Sequence, residues 1–474
     1  MGYSVRLFDL NFFLIFDLRL ESLLADISPR TEESGVPQGA TTGSAQTSEA
    51  AGSWTPIVLA AALSDIGMRR ANNQDSFAII SATDEEKWQR CGDLLIVADG
   101  MGAHAAGELA SRLSVELIPH HYSKLNTKTE CTEALLRAFE ETNREINRKG
   151  MINPEFRSMG TTTSAIALLP IGGVIAHVGD SRVYRLRGQT FEQLTFDHSL
   201  VWEMQQSGEV SEEMIRNSSI PKNVITRSLG PSPQVQVDLE GPFPLQKGDR
   251  FLLCSDGLSG QVFDEEIGLL LGLLDPPTAV KALVDLANFR GGPDNITVVI
   301  GEVQRDYGVS KASVASGGIR IPAGFPTAFG VIAAIGLLAA VFLALVQQVP
   351  LAILAAAAAL VALVTGCIKM VVGKQTAVQE KGFGKAPYRK YTCKPSAAFA
   401  SQLKIAVDEL FQWLNDNISS SKLGPLSERI QKANRQFTSK DYKASTASFA
   451  KLLVEVMQEI RERRKEDDEG QVDY

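Results

Sequence analysis

From residue 56 to 303 short apolar runs alternate with turn residues. The pattern predicts strands over 57–62, 76–80, 94–98, 161–168, 174–178, 182–187, 235–239, 250–254 and 296–303. Apolar positions three and four apart predict helices over 107–118, 132–148, 199–206, 264–274 and 277–288. Two helices among strands, followed by two more helices, point to an α+β layered domain over residues 54–305.

The pattern then changes. Residues 328–346 and 351–368 carry no charge, and each is close to the length that crosses a hydrocarbon core of about 30 Å at ~1.5 Å per residue. The connector Gln347-Gln348-Val349-Pro350 is polar and ends in a helix breaker, so a transmembrane helical hairpin is expected over 328–368. Lys369, Lys374, Lys381, Lys385, Arg389 and Lys390 follow the second span. By the positive-inside rule they place both flanks in the cytoplasm, with the hairpin in the inner membrane. Residues 306–327 and 369–395 read as linkers, the second basic.

From 396 to 466 the periodicity is helical. Phe399, Leu403, Val407, Leu410 and Leu414 share one face, and Tyr442, Phe449, Leu452, Val456 and Ile460 share another. A helix near 426–437 between them completes a small all-α cytoplasmic bundle, favoured over a peptide-binding repeat because the spacing does not recur. An acidic tail closes the chain at 467–474. At the other end, residues 1–24 are rich in Leu and Phe but broken by Asp9 and Asp17, without the frame of a signal peptide. An amphipathic surface helix and sequence upstream of the natural start both stay open for it. Residues 28–53 are Ser, Thr, Gly and Ala rich and read as a flexible linker.

A length of 474 residues implies more than one domain, and a net charge of -8 argues against nucleic acid as the main partner. Cys91, Cys131, Cys254, Cys367 and Cys393 are scattered without CxxC spacing. They read as reduced structural thiols, with no disulfide framework or zinc site implied.

The chemistry gathers around residues 95–104, where an apolar run ends in Asp99, then Gly100-Met101-Gly102, then Ala103-His104. Glycines there let the backbone bend and bring a carbonyl oxygen beside the Asp99 carboxylate, an arrangement suited to a hard cation. Asp-Gly is also ordinary turn chemistry, so this stretch alone leaves a plain strand-to-helix connection open. The reading sharpens because Asp75, Asp180, Asp256 and Asp294 also lie beside Gly, Ser or Asn at the margins of apolar runs. Carboxylates brought together in this way repel one another and need cations.

In order and wording these pieces, over about residues 57–303, resemble the bacterial branch of the metal-dependent protein phosphatases of type 2C. The resemblance implies a four-layer αββα sandwich and hydrolysis of phosphoserine and phosphothreonine on proteins, in opposition to bacterial Ser/Thr kinases. It implies two Mg²⁺ or Mn²⁺ ions, with Asp99 bridging them and the Gly100 carbonyl, Asp256 and Asp294 as further ligands. Asp75 would act through metal-bound water, and Asp180 with Asp256 would hold a third, weaker ion. Arg70 matches the phosphate-clamping arginine and His104 the acid that protonates the leaving alkoxide, while Arg69 reads as a solvated neighbour. His120, His121, His177 and His198 read as structural, as do Gly160-Thr161-Thr162. Residues 200–229 match a flap beside the metals. Ala103 and Gly260 depart from the pattern: a glycine is usual at the first, Asp or Asn at the second. The resemblance leaves two other readings: a phosphoprotein-binding sensor with weak catalysis, and a phosphatase for another phosphoester. Simple anchoring by the hairpin would let a chain lacking residues 320–474 remain soluble and active.

Overall fold

The computed structural model describes residues 54–102, 105–126, 130–208, 224–305, 383–417 and 423–470, with scattered positions between 338 and 360. Two antiparallel sheets form the centre. The first runs β1 (Val58–Asp65), β11 (Ile296–Val303), β10 (Arg250–Cys254), β7 (Arg182–Arg187), β8 (Thr190–Gln193) and β12 (Arg389–Thr392). The second runs β2 (Asp75–Ile80), β3 (Asp93–Met101), β5 (Thr163–Leu169), β6 (Gly172–Val178) and β9 (Asp238–Phe243), with the short β4 (Gly160–Thr161) on the end of β3.

Successive side chains on a strand point to opposite faces, and here both faces are covered. On β3, Leu95 and Val97 turn inward to meet Val183, Phe251, Leu253 and Val299 of the other sheet. Leu94 and Ile96 turn outward to meet α2 (Ala105–Leu125) and α3 (Cys131–Ile152), through residues such as Ala110, Ile118 and Phe139. Hence β3 reads as a continuous apolar run although its sheet is antiparallel, where alternation is the usual pattern. On the far side of the first sheet, Tyr184, Leu252, Val298 and Ile300 pack beneath α6 (Asp264–Leu273) and α7 (Pro276–Phe289). The result is the expected αββα sandwich. Its short helices are α1 (Glu85–Cys91), α4 (Leu200–Gln206) and α5 (Asp256–Ser259).

The C-terminal region behaves differently from the sequence expectation of a linker followed by a separate bundle. Helices α8 (Ala397–Asn417), α9 (Gly424–Thr438) and α10 (Tyr442–Gly470) form beyond the sandwich, and α10 packs on both α6 and α7. Leu403, Val407, Phe449, Leu453 and Val456 belong to the same buried cluster as Leu270, Leu283 and Ala287. The physical reason lies in α6 and α7. Residues Glu266 to Leu271 are buried without interruption, as are Ala282 to Asn288. A helix with a sheet below and solvent above buries one stripe; these two bury side chains facing both ways, with few positions such as Glu265 and Lys281 left exposed, and so need a layer on each side. The buried Asp285 accepts from Arg461 Nη1 at 2.6 Å, an ion pair that ties α7 to α10. Cys393 sits so close to Gly268 that a Cβ there would collide with its sulfur and with the Phe191 ring. Within the stretch expected to be a basic linker, residues 389–392 are a strand, registered Arg389 to Gln193 and Thr392 to Thr190.

Most of the hairpin expected over 328–368 lies outside the described residues. Among those described, no helix is long and apolar enough to cross a membrane. Leu338, Val341, Leu345, Leu351, Ile353 and Leu360 are helical and exposed. The N-terminal segment and the acidic tail from 471 on also lie outside, as do Ala103, His104 and residues 209–223 of the flap.

Candidate metal centre

Register brings the first two carboxylates together. Asp75 at the start of β2 stands directly opposite Asp99 near the end of β3, where like charges repel at close range. Three hydroxyls hold Asp75 in place. Ser255 Oγ donates to Asp75 Oδ2 at 2.7 Å and accepts from Thr297 N at 3.0 Å, and the Thr297 and Ser64 hydroxyls share a hydrogen bond of 2.7 Å. Ser255 is the residue before Asp256, so the strand end that orients Asp75 also delivers Asp256 at the first turn of α5.

Asp99 is fixed through its backbone. Its N–H donates to Thr162 Oγ1 at 3.1 Å, and its carbonyl accepts from Thr162 N at 2.8 Å and Thr161 Oγ1 at 2.9 Å. Gly100 N donates to Gln74 O at 3.1 Å, and that carbonyl also accepts from Ser111 Oγ at 2.6 Å. The Gly107 carbonyl of α2 lies where a Gly100 side chain would stand, so only glycine permits this approach of helix and strand. Asp256 and Asp99 are within hydrogen-bonding reach of each other. Asp180 follows Gly179, whose φ of +115° and contact with Thr162 exclude a side chain.

Asp294 completes the set. Its Oδ2 accepts from Arg70 Nη2 at 2.6 Å, with both side chains partly open to solvent. The buried Asn295 beside it knits the Arg70 loop to this strand end. Its Oδ1 accepts from Gln74 N at 2.8 Å, and its Nδ2 donates to Ile66 O at 2.9 Å and Asn72 O at 3.0 Å. Asn73 adds an acceptor for Asp75 N at 3.1 Å.

The electrostatics follow from this crowding. Burial, then the fields of Asp256 and Asp294, push the Asp75 carboxyl up to about 7, against its hydrogen bonds from Ser255 and Thr297. Burial and the neighbouring Asp256 and Asp197 raise Asp180 to about 7. Asp99 is driven well above the carboxylate range by burial and four neighbouring aspartates, and Asp256 is raised by burial and by Asp294. Asp75 Oδ1, Asp180 Oδ1 and Asp256 Oδ1 are buried and meet no hydrogen-bond donor among the described residues. Orphaned, mutually repelling oxygens of this kind suit hard divalent cations, and the all-oxygen donor set suits Mg²⁺ or Mn²⁺. Among the described residues no three of these side chains already close on one point tightly enough to hold an ion. Asp294 is instead paired with Arg70.

The structure therefore brings Asp75, Asp99, Gly100, Asp180, Asp256, Asp294 and Arg70 to one end of the sandwich, with His104 outside the described residues. Sequence reasoning passed over Ser255, Gln74 and Asn295, whose roles depend on partners far along the chain; adjacency to Asp256, Asp75 and Asp294 was their signal. The buried histidines serve as struts. His177 lies between Ser164 Oγ at 2.8 Å and Phe196 O at 2.9 Å, and burial lowers it to about 3. His198 Nδ1 accepts from Gly179 N at 3.0 Å, leaving Nε2 to bond Asp238 at 3.0 Å. Gly260 caps α5 in ordinary right-handed geometry.

Residues 68–286 match the family model described as Protein phosphatase 2C. The chain is 37% identical over 245 residues to a putative protein phosphatase 2C-type of Streptococcus pyogenes serotype M6, covering 50% of this chain and 94% of the relative. It is 37% identical over 246 residues to the serine/threonine phosphatase stp of Listeria monocytogenes serotype 4b, covering 51% and 94%. Among solved structures it is similar to the Mycobacterium tuberculosis serine/threonine phosphatase PstP/Ppp, at 34% identity and TM-score 0.47, over 52% of this chain and 100% of that one. With nearly the whole of each curated relative matched, the chain belongs to the protein phosphatase 2C family.

Proposed function

We propose that this protein is a metal-dependent protein serine/threonine phosphatase. The observation that carries the reading is the gathering of five aspartates at the strand ends, three with a buried oxygen that meets no donor among the described residues, beside the guanidinium of Arg70. When bound, two divalent ions supply Lewis acidity and a water acidic enough to serve as a nucleophile near neutral pH. Asp99, Asp256, Asp294 and the Gly100 carbonyl would be the donors that hold them, with Asp75 and Asp180 as further acidic groups beside them. Arg70 presents a guanidinium fork that matches two phosphate oxygens. His104 is the residue of this chain placed by sequence to protonate the leaving serine or threonine oxygen. Hydrolysis of a phosphothreonine peptide by the full chain, with Mn²⁺, Mg²⁺ or chelator and alongside Asp99→Ala, tests the reading. Turnover that survives chelation or the substitution would sink it.

The hairpin over 328–368 is part of the same proposal. Two uncharged segments of spanning length, the Pro350 break and exposed apolar side chains such as Leu338, Leu345 and Leu360 support an inner-membrane anchor. Both the sandwich and the C-terminal helices then lie in the cytoplasm, where tethering raises the encounter rate with phosphoproteins and with membrane-bound Ser/Thr kinases. Alkaline extraction of membranes from cells making the full chain should leave it in the pellet; release with peripheral proteins would count against the anchor.

A further inference from the structure

Arg290 caps the C-terminal end of α7 and stands four residues before Asp294. Its guanidinium makes a two-pronged pair with the buried Glu266 of α6, Nη1 donating to Oε2 at 2.6 Å and Nη2 to Oε1 at 2.8 Å. Glu266 is itself held, because its Oε2 accepts from Phe263 N at 3.0 Å at the head of α6. Arg290 Nη1 also donates to the Gln261 carbonyl at 3.0 Å, and Nη2 donates to Gln402 Oε1 of α8 at 3.2 Å. One flat cation thus joins the end of α7, the turn after α5 and the C-terminal layer.

Two of the elements it joins deliver carboxylates to the metal centre. Asp256 opens α5, where Gly260 N donates to Asp256 O at 2.7 Å and Gln261 N to Leu258 O at 3.0 Å, so Gln261 belongs to the same bonded turn. Beyond Arg290, Gly291 N donates to Asn288 O at 2.9 Å and Gly292 N to Ala287 O at 3.1 Å, which wraps the chain round the end of α7 on its way to Asp294. Gly292 has a φ of +38°, and a side chain there would meet Asn288 Oδ1 and Met68 N. Its carbonyl accepts from Met68 N at 2.7 Å, two residues before Arg70. The stretch that Arg290 anchors therefore carries Asp294 and steadies the root of the Arg70 loop. Asp256 feels the charge of Asp294. Without cations that repulsion drives the two apart, and a link behind them limits how far their supports can separate.

We infer that Arg290 is a positioning residue of the metal centre, which fixes the separation of Asp256 and Asp294 from behind. The inference rests on the metal-dependent reading above and adds no ligand to it. The Arg290 and Glu266 side chains are only 21% and 10% exposed, so their pair is sheltered from the screening that weakens surface ion pairs. Arg461 offers a contrast. It too ties the C-terminal layer to α7, but at Asp285 in the body of that helix. Its loss would loosen the layer while leaving the bonds of Arg290 to Glu266 and Gln261 in place.

The test titrates Mn²⁺ into the full-length wild type and into Arg290→Ala, Arg290→Lys, Glu266→Gln and Arg461→Ala, with free Mn²⁺ read by electron paramagnetic resonance. Arg290→Ala should weaken Mn²⁺ binding about three- to tenfold, short of the loss expected when a group bonded directly to a ligand is removed. Arg290→Lys, a cation without the fork, should fall between wild type and Arg290→Ala, and Glu266→Gln should also weaken binding. Arg461→Ala should lower the urea midpoint and keep the wild-type Mn²⁺ affinity. Turnover of a phosphothreonine peptide should need correspondingly more Mn²⁺ in Arg290→Ala and return to within about twofold of wild type at saturation. Wild-type Mn²⁺ affinity in Arg290→Ala, or an equal loss in Arg461→Ala, would overturn the inference. Should Arg290→Ala fail to fold, wild-type affinity in both Arg290→Lys and Glu266→Gln would overturn it as well. A wild type that binds no Mn²⁺ defeats the metal-dependent reading and this inference with it. One that binds Mn²⁺ without hydrolysing the peptide defeats the phosphatase reading alone, and the Mn²⁺ affinities still decide the role of Arg290.

Discussion

One end and the outer face of the sheet that holds β10 and β11 show opposite uses of burial. At the metal end, Asp75, Asp99, Asp180 and Asp256 crowd together with their carboxyls forced upward, and Asp75, Asp180 and Asp256 each keep a buried oxygen that meets no donor among the described residues. Across the outer face of the same sheet, α6 and α7 bury mostly apolar side chains on both sides and the C-terminal helices cover them. The first region destabilises the metal-free fold in order to be ready for cations, and the second stabilises the molecule that carries it. The layer beyond the sandwich is therefore part of what lets this chain hold so acidic a site.

The largest expected effect separates the two regions by function. Asp99→Ala should lower metal-dependent peptide turnover by about a thousandfold or more while raising the melting temperature of the chelated protein, because it removes one of the repelling carboxylates. A lower melting temperature in chelator would show that Asp99 supports the fold instead. Next comes removal of the covering layer. A chain of residues 54–305 should lose several kcal/mol of stability, or aggregate, as α6 and α7 meet water. This reverses the expectation from simple anchoring; a truncated domain as stable and active as the full chain would restore it.

A smaller effect should follow Arg461→Ala, which strands the buried Asp285 carboxylate. The loss should be on the order of 1–3 kcal/mol, below that of a fully buried pair because Arg461 is partly exposed. Urea unfolding of the full chain measures it, and no change in midpoint would mean that α10 is not held through this pair. The smallest effect concerns pH. Burial raises the Asp93 carboxyl to about 6, opposed by the hydrogen bond it accepts from Ala82 N at 2.6 Å. The folded state then binds a proton that the unfolded chain, near pKa 4, has released. The stability tied to Asp93 is thus full below about pH 4 and lost as pH rises through about 6. Asp93→Asn keeps the acceptor without the charge and should stabilise the protein by about 1–2 kcal/mol at pH 8 and scarcely at pH 4. Equal shifts at both values would exclude titration as the cause.

Strands such as Arg182–Arg187, Arg250–Cys254 and Ile296–Val303 were legible because apolar side chains recur along each of them. Helix α1 was not legible, since among its charged residues Trp88 alone is buried. Strands β8 and β12 escaped because each is four residues long and mixes charge with aromatic side chains, and their pairing joins residues far apart in the chain. The site divides in the same way. Each aspartate was marked by its small neighbours, but Asn295 could be understood only once Ile66, Asn72 and Gln74 were seen around it.

The sequence by itself determined which side chains could do chemistry and which segments could be buried, because residue type and period are local properties. It even held the sign of the extra layer, in the unbroken apolar face of residues 267–274. Only the tertiary structure decided what covers that face, how Asp75 meets Asp99, and that Arg290 reaches Gln402. Those outcomes depend on register and on contacts between residues more than a hundred positions apart, which no local period encodes.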